Sequence, residues 1–258
     1  MLIVDGHAPN HTALRLPNVS LKRRRVLASV AIAAVVLVLT HTAPAPGLFD
    51  LAAGPRAIWQ MPRTTPPTVY LTYDDGPNAA TTPMLLDVLA RERVHATFFL
   101  IDREIAERTV PLVARMFAEG HGVALHSDSR LDLLMSPATF AQKLTTNADR
   151  IERLTGHRPI RAFRPHAGWR SATMYAGLRR IDYRLIGWGW FRWDWNWYRQ
   201  PTADATVARL IARIKPGDIV VMHDGNVYNP SGDQRHTVEA TARLIPLLRA
   251  KGYTFGRF

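Results

Sequence analysis

The chain has 258 residues with 33 Lys plus Arg, 21 Asp plus Glu, 10 His and no Cys. That length holds one large domain or two small ones, and 47% hydrophobic with 21% charged residues is ordinary globular composition, which excludes wholesale disorder. Without Cys there is no disulfide framework, thiolate zinc site, iron–sulfur cluster or cysteine nucleophile, so any transition-metal site must use His and carboxylates. The net charge of +12 invites a nucleic-acid reading until its distribution is inspected.

Residues 1–25 are polar and end in Lys22-Arg23-Arg24-Arg25, and the uninterrupted apolar run Val26–Leu39 follows. A basic cluster before an apolar run keeps the basic side in the cytoplasm. The run has the length of a secretory h-region, and flanking residues through Ala43 extend it toward the ~20 residues of a spanning helix. Prolines at 44 and 46 crowd any cleavage site after Ala43 or Ala45, which favours an uncleaved signal-anchor over residues 26–43. Cleavage would instead yield a secreted protein. Both readings deliver the rest of the chain outside the cytoplasm, to the periplasmic or extracellular side. Residues 44–66 contain five prolines, with Pro67 following, and read as a semi-rigid linker. Residues 1–66 carry +5 of the net charge and residues 67–258 carry +7, so part of the excess is a topology signal. No recognisable nucleic-acid-binding motif accompanies it.

From Pro67 onward, apolar strands alternate with amphipathic helices. Strands are expected at 68–73, 96–101, 122–126, 162–164, 184–190 and 218–223. Helices are expected at 82–93, 104–119, 136–155, 171–180, 202–214 and 234–250. The first helix has Met84, Leu85, Val88 and Leu89 at helical spacing, and Ser136-Pro137 is a capping residue followed by proline at the first position. This alternation predicts an α/β fold on a parallel sheet, whose chemistry lies at the carboxyl ends of the strands.

Polar motifs stand at those ends. They are Tyr73-Asp74-Asp75-Gly76-Pro77, His126-Ser127, Arg164-Pro165, Asp194-Trp195 and His223-Asp224. Singly, each passes for a turn or a structural histidine; five together on one rim point to an active site. One of two adjacent carboxylates can hold a cation while the other acts as general base on water, and His223 can protonate a leaving group. Arg164 can keep the base carboxylate ionised, and Asp194 can do the same for the imidazolium of His223. That is hydrolysis at an acyl carbon.

Thr72-Tyr73-Asp74-Asp75-Gly76-Pro77, with Ala96-Thr97-Phe98-Phe99-Leu100 and Gly120-His121-Gly122-Val123, resembles the polysaccharide deacetylase family, the nodulation-deacetylase-like domain of carbohydrate esterase family four. The resemblance covers about residues 67–256. It implies a distorted (β/α) barrel with fewer than eight repeats, Asp74 as base, Asp75 as metal ligand, His223 as acid, Arg164 orienting Asp74, and Trp188 and Asp194-Trp195 lining the His223 side. It also implies a divalent metal such as zinc and an acylated polysaccharide of the cell envelope as substrate; a lipid-linked sugar is the alternative that the tryptophan-rich stretch 188–197 suggests.

The departures are specific. The family's second motif has two His one helical turn apart, whereas this chain reads His126-Ser127-Asp128-Ser129-Arg130. Arginine has no available lone pair, so the metal set shrinks to Asp75 and His126. Three outcomes follow. His166 substitutes as third ligand, Arg130 pairs with Asp75 and polarises the carbonyl in the metal's place, or the site is inactive and the protein only binds glycan. The retained hydrolase ranks first, because a binding module needs neither base nor acid. In the next motif Ala167 replaces the family's aromatic residue, although a backbone N–H there still serves an oxyanion. Trp188, Trp190, Trp193, Trp195 and Trp197 fall within ten residues. Core packing accounts for two or three, and the cluster suggests a stacking wall for sugar rings.

Overall fold

The computed structural model describes residues 21–42, 57–189, 193–194 and 202–258. The chain divides into two units, residues 1–38 and 39–258. Helix α1 (Leu21–Thr42) contains the apolar run, and its residues 21–35 are exposed. Among the described residues no helix is long and apolar enough to cross a membrane, so the span expected over 26–43 is not found.

In the second unit, strands β1 (Ala57–Ile58), β2 (Thr68–Gly76), β3 (Thr97–Ile101), β4 (Gly122–His126), β5 (Ala162–Arg164), β6 (Arg184–Ile186), β7 (Ile219–His223) and β8 (Thr254–Gly256) form one sheet. Helices α2 (Thr82–Glu92), α3 (Val110–Ala118), α4 (Pro137–Thr155), α5 (Ala172–Arg180), α6 (Ala203–Arg213) and α7 (Arg235–Ala250) alternate with them. The strand order is β1-β6-β5-β4-β3-β2-β7, with β8 on the start of β2, and all these pairings are parallel.

The two ends of this order meet. Gln60 bridges Asp218, the Met61 N–H donates to the Gly217 carbonyl (2.8 Å), and the Gly189 N–H donates to the Ile219 carbonyl (3.1 Å). Trp193 bridges Val221 beyond them. The chain leaving β1 and β6 therefore closes on β7, and the expected distorted barrel follows. The larger core lies between strands and helices, with Leu71, Leu85, Phe98, Leu125, Phe140, Phe163 and Leu244 fully buried. A smaller core of Phe99, Ala124, Ile186, Trp188, Ile219 and Val221 fills the barrel interior.

Several expected boundaries move. Residues 57–61, placed in the linker from the surrounding prolines, belong to the barrel. The helix expected from Glu104 begins at Val110. The Thr109 hydroxyl instead accepts from the Ala106 N–H (2.8 Å) and donates to the Glu104 carbonyl (2.7 Å), and Pro111 opens the helix. Regular pairing of β6 stops at Ile186, where the strand was expected to reach Trp190. At Gly187 a Cβ would stand 2.1 Å from the Trp59 ring. In α2, Leu85, Leu86, Val88 and Leu89 are buried while Met84 is exposed, one position off the expected face.

Candidate active site

β2 carries the first carboxylates to the rim. Alternate residues of a strand share a face, so Thr72 and Asp74 point together into the barrel. Adjacent Asp75 would ordinarily point away. A register shift against β3 between Asp74 and Gly76, with Asp75 in the left-handed region (φ 66°), turns it back to the same side. Both carboxylates thereby face one imidazole. His126 Nε2 at the end of β4 lies 3.3 Å from Asp74 Oδ2 and 3.7 Å from Asp75 Oδ1.

Arg164, fully buried at the end of β5, crosses the barrel to reach this pair. Its Nη1 donates to Asp74 Oδ1 (2.6 Å) and Thr72 Oγ1 (2.8 Å). Nε and Nη2 donate to the Ile186 and Gly187 carbonyls (3.1 Å each), and the guanidinium lies 3.9 Å from the Phe99 ring centroid. Every edge of the buried cation is paired, which is the condition under which a buried charge is tolerated. Burial pushes the Asp74 carboxyl up, but Arg164, with His126 and His223 behind it, outweighs burial and holds it at about 2.

His223 ends β7, in direct cross-strand register with Asp74. Its Nδ1–H donates to Asp194 Oδ1 (2.7 Å) and its backbone N–H donates to Asp194 Oδ2 (2.7 Å), which also accepts from the Thr237 hydroxyl (3.0 Å). Burial disfavours the imidazolium, yet Asp194, with Asp75 and Asp74 adding to it, pushes the His223 pKa up to about 10. Its side chain keeps 23% exposure, which leaves an edge open to the rim. At neutral pH the site thus holds an ionised carboxylate and a protonated imidazole on neighbouring strands.

A cation fits between Asp75 and His126. His126 Nδ1 bonds the Ser127 carbonyl (2.9 Å), so that with a cation bound the ring proton would sit there and the Nε2 lone pair would face the carboxylates. Asp75 Oδ2 accepts from the Val227 N–H (3.2 Å), whereas Asp75 Oδ1 is buried with no hydrogen-bond partner. A bare imidazole nitrogen facing an orphaned carboxylate oxygen is the donor pair a divalent cation takes. Yet among the described residues no three His, Asp or Glu side chains are arranged to hold a metal.

The expected substitutes stand as follows. Arg130 is exposed and lies over the Trp169 ring at 5.7 Å; it makes no ion pair with Asp75 among the described residues, which corrects that expectation. The His166 ring centre is 6.1 Å from that of His126, but its Nε2 bonds the Tyr228 hydroxyl (3.2 Å). Burial, then the neighbouring His126, lowers its pKa to about 4, so it stays neutral near pH 7. Ala167 sits in the left-handed region (φ 53°), in a tight turn closed by the Gly168 N–H to the Pro165 carbonyl (3.0 Å). Trp188 is 3% exposed and packs in the barrel core, its ring centre 5.8 Å from the Arg164 guanidinium. It is a core residue and not an open stacking wall. Trp193 is half-buried against the same core. Trp190, Trp195 and Trp197 lie outside the described residues.

Two groups, one buried and one partly buried, have no role assigned from sequence. Asp224 follows His223 and is fully buried, accepting from the Thr82 hydroxyl, which in turn accepts from the Asn78 N–H (2.8 Å). Burial, with Asp75 and Asp74 adding to it, raises its pKa to about 7. Its carboxyl occupies the space a Cβ on Gly76 would need, 2.5 Å away, so glycine there lets the β2 and β7 ends close on each other. Trp59 is the second: it packs on Gly187, whose carbonyl receives Arg164. The His-Asp pair was the available signal for Asp224, and nothing in the proline-flanked segment 57–61 marked Trp59.

Comparison with known proteins agrees with this architecture. The family model for polysaccharide deacetylases matches residues 62–186. A chitooligosaccharide deacetylase of Sinorhizobium fredii is 36% identical over 199 residues, spanning 74% of this chain and 89% of its own. The crystal structure of a peptidoglycan N-acetylglucosamine deacetylase superposes with a TM-score of 0.70 at 26% identity, over 81% of this chain and 94% of that one. A family 4 acetyl xylan esterase from Clostridium thermocellum, solved with a cobalt ion, superposes with a TM-score of 0.64 at 29% identity, over 74% and 87%. The chain belongs to the polysaccharide deacetylase family and is a carbohydrate deacetylase, a hydrolase of carbon–nitrogen bonds other than peptide bonds.

Proposed function

We propose that this protein removes N-acetyl groups from an N-acetylglucosamine-containing glycan of the cell envelope, with Asp74 as general base and His223 as general acid. The observation that carries this is the juxtaposition on adjacent strands of two ion-paired groups, Asp74 on Arg164 and His223 on Asp194. A base and an acid poised together at neutral pH suit amide hydrolysis, in which a proton leaves water and another reaches nitrogen.

Asp74 takes a proton from water as its oxygen adds to the acetyl carbon. Arg164 keeps the carboxylate ionised and aimed. The Ala167 backbone N–H, presented by its left-handed turn, supports the developing oxyanion. His223 then gives its proton to the amide nitrogen as the carbon–nitrogen bond breaks, releasing acetate and the free amine. Asp194, itself held by the Thr237 hydroxyl, holds the imidazole throughout. Asp75 and His126 would hold a divalent cation, which supplies Lewis-acid polarisation of the acyl oxygen when bound. The basic cluster Lys22–Arg25 followed by the apolar run supports action outside the cytoplasm.

The test is acetate release by the purified protein from chitin oligomers, peptidoglycan and acetylated xylan. Release from the first two with little from the third is expected. Release confined to acetylated xylan would overturn the N-acetyl assignment.

A further inference from the structure

The loop after β7 places a large aromatic side chain in the open above Asp75 and His126. Tyr228 is 76% exposed, yet its position is set from four directions. Asn226 Oδ1 accepts from the Tyr228 N–H (2.9 Å) and the Asn229 N–H (3.2 Å), closing a tight turn. The preceding Val227 is buried, and its N–H donates to Asp75 Oδ2 (3.2 Å). The Val227 carbonyl accepts from Arg103 Nη2 (2.8 Å), on the loop after β3. The Tyr228 hydroxyl bonds His166 Nε2 (3.2 Å), and the two rings meet edge to face, centres 5.8 Å apart at 84°.

The His166 contacts hold the tyrosine at the rim while most of its side chain stays in solvent. What it offers is a rigid, amphipathic face beside the catalytic carboxylates, ordered before any substrate arrives. Two positions expected to line the site offer no such face. Trp188 is buried, and Ala167 carries no ring.

We propose that Tyr228 is a sugar-stacking, specificity-determining residue. It would pack against the pyranose next to the one being deacetylated, and so set the enzyme's preference for chains over single sugars. The inference rests on the deacetylase reading above and deepens it. The pyranose C–H face meets the ring, while the His166 bond keeps the ring from rotating away.

The experiment compares wild type, Tyr228→Ala and Tyr228→Phe on N-acetylglucosamine oligomers from the dimer to the hexamer, measuring acetate release and, separately, oligomer binding by intrinsic fluorescence. Loss of one stacking contact predicts a KM raised roughly five- to tenfold for long oligomers in Tyr228→Ala, with kcat within about twofold. Tyr228→Phe, which retains the ring, is expected to recover most of that loss. An unchanged KM and unchanged binding in Tyr228→Ala would overturn the proposal, as would a fall in kcat alone. If wild type releases no acetate from any oligomer, the deacetylase reading falls. The binding arm then decides for Tyr228 by itself: weaker binding in Tyr228→Ala supports it and equal binding overturns it.

Discussion

Asp74 and Arg164 face each other across the barrel with 2.6 Å between Oδ1 and Nη1, both buried, and Arg164 also holds the carbonyls of Ile186 and Gly187. One cation therefore sets the charge of the base and ties β6 to β2 through the barrel interior. Arg164→Met is expected to lower kcat by orders of magnitude and to cost about 3–5 kcal/mol of stability, because it leaves a buried carboxylate unpaired. Denaturant unfolding beside acetate-release kinetics checks both. A fully stable, fully active variant would contradict this role.

The His223–Asp194 pair makes a pH prediction. Proton donation needs the imidazolium, so activity should persist through neutral pH and fall as pH rises through about 10. Asp194→Asn removes the countercharge and should move that alkaline limb toward acid, while lowering kcat. Stability follows the same sign. The folded pKa lies above the ordinary value of about 6.5, so this pair's contribution is complete below that value and lost as pH rises through about 10. Asp74 acts oppositely: its contribution is present above about 4 and lost as pH falls through about 2. A pH–rate profile of wild type and Asp194→Asn reads the first effect directly.

The metal set makes a third prediction. With two protein donors, divalent cation binding should be weak, and Arg130→His should strengthen it at least tenfold, since three protein ligands are usual for a catalytic zinc. Asp75→Ala should abolish it in both backgrounds. Titration calorimetry with zinc or cobalt measures this independently of activity. If His166→Ala weakened binding as much as Asp75→Ala does, His166 would be a ligand in spite of its bond to Tyr228.

Gly187→Ala tests the support under Arg164. The added methyl meets the Trp59 ring at 2.1 Å, and relief requires moving either the ring or the carbonyl that receives Arg164. The expected cost is about 1–3 kcal/mol of stability with a lowered kcat. Thermal unfolding and kinetics on the same sample would show whether the two losses come together.

The strand ends were legible in the sequence because each couples an apolar run to a polar terminus. Thr72, Asp74, Asp75, His126, Arg164, Asp194 and His223 converge in space from five separate stretches of chain. What escaped depended on long-range packing. Ala57–Ile58 is a two-residue strand between prolines, with no period to read, and it forms only because Leu185 and Ile186 offer their edge. Trp188 departs from its expected place for a related reason. The tryptophan spacing resembles an exposed stripe, but barrel closure turns Trp188 inward over Arg164. Tyr228 lies among Asn, Pro and Gly and reads as a turn; only the bonds from Val227 and His166 show that the turn is fixed beside Asp75.

The most direct measurement is acetate release from N-acetylglucosamine oligomers by wild type and Asp74→Asn, with folding of both verified by circular dichroism. Acetate and a matching free amine are expected from wild type, and none above background from the folded Asp74→Asn. Equal release by the two proteins would contradict Asp74 as the base and, with it, the mechanism built on the Asp74–His223 pairing.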